Sequence, residues 1–110
     1  MNSVQDIEAK ILGAMRDYIG SYSKRLGDLG LAYEVLIDRS SSKEGGYRSE
    51  ARAEFSDENG VWDILEFEVV RGGKLLVSLE DVKNWLPDAF GSVVSRREVE
   101  VGNGGEQVIH

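Results

Sequence analysis

Tyr47–Arg71 reads YRSEARAEFSDENGVWDILEFEVVR, and the fold is decided in this stretch. Tyr47, Ala51, Ala53 and Phe55 fall on one side of a period-two pattern, with Arg48, Glu50, Arg52 and Glu54 on the other. After Asn59-Gly60 the alternation resumes, with Leu65, Phe67 and Val69 against Glu66 and Glu68. A period of two is that of a strand, and Asn-Gly between two such runs marks a hairpin. Register then selects the loop. A two-residue loop would set Phe67 opposite Arg52 and Leu65 opposite Glu54. A three-residue loop, Glu58-Asn59-Gly60, sets Phe67 opposite Ala51, Leu65 opposite Ala53 and Glu66 opposite Arg52. The second choice keeps one apolar face and matches opposite charges, so a type I turn closed by a bulge at Gly60 is expected.

Glycine pairs bracket the hairpin at Gly45-Gly46 and Gly72-Gly73. They extend it into an antiparallel meander, because glycine reaches positive φ at little cost. Leu31–Arg39 supplies the first strand, followed by a loop from Ser40 to Gly46, and Lys74–Leu79 reads as a fourth strand. Val93–Val101 alternates as a fifth, and Gly102-Asn103-Gly104-Gly105 opens a loosely ordered tail over 102–110. Upstream, Val4, Ile7, Ile11, Met15, Tyr18, Tyr22, Leu26 and Leu29 recur at helical spacing for about seven turns. Ser3 and Asp6 suit the start of that helix, and Gly27 and Gly30 its end. Gly13, Gly20 and Gly27 repeat every seven residues on the opposite side, where they read as tolerated weakeners of the helix. Glu80–Leu86 forms a short second helix that Pro87 terminates. The expectation is one α+β domain over 1–110: a long amino-terminal helix packed on a four- to five-stranded antiparallel meander, with a short second helix.

Apolar residues at 41% are enough for a core, and the longest apolar run is far short of a membrane span. Met1–Asp6 has neither a basic start nor an apolar run, so no secretory signal is expected there. With no cysteine in the chain, the expected location is cytoplasmic. Net charge is −7, unevenly spread: residues 1–30 balance, whereas residues 31–91 hold thirteen of the twenty acids and seven of the thirteen bases. An acidic sheet disfavours nucleic acid, which needs a basic stripe, and suits a basic protein partner.

Catalytic chemistry finds little purchase. His110 is the sole imidazole and ends the chain behind three glycines, so triads and histidine-based metal sites are not expected. Asp57-Glu58-Asn59-Gly60 resembles a fragment of a calcium loop but lacks the other ligand positions. Glu66 and Glu68 share a face with Glu50 and Glu54, but Arg48 and Arg52 interleave with them as cross-strand charge pairs. No metal or cofactor is expected. Leu36, Trp62, Ile64 and Val70 share parity with these charges and need a cover: the second helix, a subunit or a partner.

The element order is similar to that of cystatin-like and NTF2-like cones, secretion chaperones and small bacterial immunity proteins. Three functions are consistent with it. The first is a non-enzymatic protein-binding module, such as an immunity-like inhibitor, meeting a basic partner through Glu50, Glu54, Trp62, Ile64, Glu66 and Glu68. A second is a ligand pocket between helix and sheet lined by Tyr18, Tyr22, Tyr33, Phe55 and Phe67. The third is a structural or chaperone-like homodimer paired through its sheet.

Overall fold

The computed structural model describes residues 3–41, 43 and 45–109, and of residues 103–109 the backbone only. Ser42 and Glu44 of the expected loop, and His110, lie outside the described residues. The chain is α+β: α1 Val4–Gly20, α2 Ser23–Asp28, β1 Ala32–Ser41, β2 Tyr47–Asp57, β3 Gly60–Arg71, β4 Lys74–Leu75 and α3 Leu79–Ile109. The strands form one antiparallel sheet in the order β1-β2-β3-β4. α1 and α3 pack beside each other on the same face of it.

The helix expected to run from Val4 to Leu29 is broken after Gly20. Ser3 caps it as anticipated, its hydroxyl accepting the Asp6 N–H at 3.1 Å while Asp6 accepts the Ser3 N–H at 3.2 Å. At the break the Ser21 hydroxyl donates to the Tyr18 carbonyl at 2.6 Å, and Tyr22 N–H bonds Ile19 rather than Tyr18. Competition of this kind is why serine weakens a helix interior. The short α2 that follows keeps Leu26 buried, and Leu29 behind it still reaches the core.

At the central hairpin, Phe67 pairs with Ala51, Leu65 with Ala53 and Glu66 with Arg52, as the register argument requires. The extra residue, however, sits at Trp62 and not at Gly60. Asp57 pairs with Gly60, Ser56 with Val61 and Phe55 with Asp63, leaving Trp62 out of the ladder. The Asp57 carboxylate accepts the Asn59 N–H at 2.8 Å and closes the turn within Glu58-Asn59, so the odd residue is absorbed further along.

The carboxy-terminal half departs most from the sequence expectation. β4 ends at Leu75, and Val93–Val101, expected as a fifth strand, is helical. The helix expected to stop at Leu86 runs through Pro87 into α3, which continues over the glycine-rich stretch after residue 101. Proline in a helix interior costs about 3 kcal/mol. Val82, Leu86, Phe90 and Val93, spaced by four, four and three, are each at most 2% exposed on one side of α3. Burying such side chains contributes about 1.5–3 kcal/mol apiece, which outweighs the one lost hydrogen bond.

The two Gly-Gly turns meet at one end of the sheet. Gly46 has φ +74°, and a Cβ there would lie 2.5 Å from the Gly72 carbonyl carbon and 2.7 Å from the Gly73 nitrogen. Gly73 N–H also donates to the Tyr47 carbonyl at 3.1 Å. Gly46→Ala should therefore destabilise by more than about 1 kcal/mol, since strain at positive φ adds to a backbone clash. Phe55→Ala, at a fully buried site, should cost about 3–5 kcal/mol. Urea unfolding of both variants checks these; a loss under about 1 kcal/mol for Phe55→Ala would contradict the packing described.

Candidate functional site

Because α1 and α3 lie on one face, the other face of β1–β3 is uncovered among the described residues. Pairing lays its side chains out in rows. Glu34, Glu54 and Ile64 form one row, Leu36, Arg52 and Glu66 the next, and Asp38, Glu50 and Glu68 a third. Six carboxylates there face three guanidiniums, those of Arg48, Arg52 and, at the end of β3, Arg71. Like charges directly opposite on neighbouring strands repel, and Asp38–Glu50–Glu68 places three in line. Arg52 sits among them, 3.3 Å from Asp38, 3.4 Å from Glu54 and 3.4 Å from Glu66. Arg48 reaches Glu68 at 3.0 Å and Glu50 at 3.5 Å. The hydrogen bond from Arg71, with a further one from Arg48, holds the Glu68 carboxyl below its ordinary value. A depressed carboxylate contributes stability above its unfolded value and loses it as pH falls through the lowered one. Glu68 therefore stays charged further into acid than an ordinary glutamate. No group of three or more acidic side chains among the described residues is placed to hold a metal ion.

Trp62 does not belong to this face. The bulge turns its indole toward the helices, where Nε1 donates to Glu100 and the guanidiniums of Arg96 and Arg97 lie 5.8 and 5.5 Å from the ring centre. Nor does Val70, expected on the same side: a second register shift leaves Val69 unpaired, sets Val70 opposite the buried Ser49 and turns it into the core. Leu36 and Ile64 remain on the open face, half-buried by the charged side chains around them.

The five aromatic residues expected around a pocket are divided. Tyr18, Tyr22 and Phe55 gather on Phe90 with ring centres 5.1–5.9 Å away; Phe55 and Phe90 are buried, Tyr18 half-buried, and Tyr22 is exposed at the margin. Phe67 instead meets Trp85 at 5.1 Å, and the Tyr33 hydroxyl lies against Gly20. A groove of about 670 Å³ that takes in only Tyr18 of the five opens between Lys10, Gly13, Ala14, Asp17 and Tyr18 of α1 and Val82, Lys83 and Leu86 of α3.

One further cluster was legible only as an irregularity. Glu8 falls on the apolar stripe of α1 between Val4 and Ile11 and is fully buried. Its Oε1 accepts from Arg39 at 3.0 Å and from the Tyr47 hydroxyl at 3.1 Å, while Oε2 has no partner among the described residues. Burial, with the bond to Glu8, raises the Tyr47 phenol above its ordinary value. An acid at a stripe position was the available sequence signal. The arrangement ties α1 to the β1–β2 end and offers no nucleophile poised for chemistry.

No protein-family model matches the chain, and neither a curated protein nor a solved structure matches it.

Arg39→Ala should destabilise by about 2–4 kcal/mol, because a buried carboxylate loses its cation. The double substitution of Glu8 and Arg39 by methionine should recover most of that loss, since an apolar pair of similar volume needs no counter-charge. Equilibrium unfolding of the three proteins tests this, and a double variant worse than Arg39→Ala would refute it.

Proposed function

We propose that this chain is a non-catalytic protein-binding module, immunity-like in manner, that meets a basic partner protein through the open face of its sheet. The observation that supports this most is the arrangement of Glu34, Asp38, Glu50, Glu54, Glu66 and Glu68 in rows on an uncovered face. Such rows carry cross-strand repulsion that cations from a partner relieve. Leu36 and Ile64 supply the apolar contacts within that face, the place first given to Trp62. An acidic surface of this kind repels nucleic acid.

Capture of partners from the native host, followed by association kinetics, tests the reading. Reversing Glu66 and Glu68 together to lysine should slow association roughly tenfold at low salt, and added salt should slow the unaltered protein in the same way. Trp62→Ala should lower stability, with little effect on association. A partner whose binding ignores both salt and the charge reversal would refute the acidic-face reading.

The groove between α1 and α3 supports a second reading, that of a small-ligand site, since its size is that of ligand pockets generally. Lys10 and Lys83 border it with no ion-pair partner within 4 Å among the described residues, and Asp17 lines it too; two ammonium groups against one carboxylate favour an anionic amphiphile. Gly13 has open space where a Cβ would stand. Gly13→Leu should therefore fill the groove and abolish binding of an anionic naphthalene dye, read by fluorescence titration. Unchanged dye binding would refute this reading.

A further inference from the structure

β3 is a long strand with a short neighbour. Pairing with β4 covers only Val70 and Arg71, and one more bond runs from Leu76 N–H to the Val69 carbonyl at 2.8 Å. From Val61 to Glu68 the edge away from β2 has no backbone partner among the described residues. Strand edges of that length are templates for pairing unless guarded. On the opposite edge, that of β1, the Arg16 guanidinium donates to the Val35 carbonyl at 3.4 Å and occupies one acceptor. On β3 one donor is likewise taken. Asp63 Oδ1 accepts the Ile64 N–H at 2.8 Å, which occupies that donor. Edge-facing groups recur at every second residue, so the groups of Glu66 and Glu68 come next and carry no such cover.

Beside this free stretch lies an apolar cleft of about 240 Å³, lined by Phe67, Val77, Asp81, Val82 and Trp85. Trp85 is 39% exposed and neighbouring Leu76 47%, high values for such side chains. Phe67 projects to the helix side, while Glu66 and Glu68 project to the open face. A strand added here would send one set of side chains into the cleft and the alternate set toward the two glutamates.

We infer that the β3 edge captures an extended segment of a partner protein, alternating apolar with basic residues, by strand addition. This rests on the protein-binding reading above and names its partner's form. Charge argues against a second copy as the occupant. Antiparallel self-pairing over this stretch would bring Glu66 and Glu68 against their own counterparts, and like charges opposite are destabilising.

The test uses the full chain and three capped heptapeptides of equal composition and charge: alternating valine and lysine, a scramble, and the alternating sequence N-methylated at its edge-facing amides. The alternating peptide should slow amide exchange at Glu66 and Glu68 and bind at least about tenfold tighter than the other two. Trp85→Ala should weaken it by a similar factor, with circular dichroism confirming the fold. If the scrambled and N-methylated peptides bind equally well, strand addition is refuted while the acidic-face reading stands. The inference is equally overturned if no peptide binds, or if the edge amides are already protected in a dimer of the free chain.

Discussion

Ala51, Ala53 and Phe55 form the ground on which both long helices rest. All three are fully buried at the centre of the inner face. The two alanines are short enough for α1 to bring Ile11, Met15 and Ile19 down onto the sheet, and for α3 to do the same with Leu86 and Phe90. Larger residues there would lift the helices and open voids, which interiors do not tolerate cheaply. Everything else follows from this seat: which face is dry, which is wet, and where the polar exceptions fall. Glu8 is such an exception, fully buried and held by Arg39 and Tyr47.

The sheet was legible because its determinants are local. Period-two alternation, glycine pairs and charge matching across Arg52 and Glu66 depend on neighbours a few residues away in sequence or directly across a hairpin. Of two irregularities in β3, the one near the turn was legible in parity but not in place, and the one that leaves Val69 unpaired between Glu68 and Val70 gave no sequence signal. Parity near the turn demands one extra residue, yet whether Gly60 or Trp62 takes it depends on Asp57 closing the turn and on α3 being present to receive an indole. That second condition is tertiary, and it takes Trp62, expected among the partner-facing residues, off the open face.

α3 was illegible for a similar reason. Val93–Val101 alternates well enough to resemble a strand, and Pro87 is an honest stop signal by propensity alone. What overrides both is packing of Val82, Leu86, Phe90 and Val93 against a core that the sequence pattern does not display. Ion pairs across the layers add direction. Arg97 bonds Asp57 at 3.1 Å and the Leu29 carbonyl at 3.0 Å, and Arg96 bonds Asp63, so the helix is fastened along the β2–β3 hairpin. Residues that looked like the polar half of a strand are thus the charged flank of a helix.

The exposed edge of β3 has its origin in a helix cap. Ser78 and Asp81 form a reciprocal pair, each side chain accepting the other's backbone N–H at 3.0 Å. The Ser78 N–H, with the Ser78 hydroxyl, holds the Asp81 carboxyl below its ordinary value. Such a pair is a strong start signal, and it begins α3 at Leu79, only four residues after β4 ends. Had Leu76, Val77 and Leu79 continued as a strand, as their apolar character suggests, they would have covered β3 toward Glu66. The cap instead draws the chain off the sheet edge onto the inner face, where Val77 becomes a wall of the cleft with Phe67 and Trp85. One local hydrogen-bonded pair therefore produces the free edge and its adjoining cleft together, which is why backbone groups and an apolar recess occur side by side at that corner.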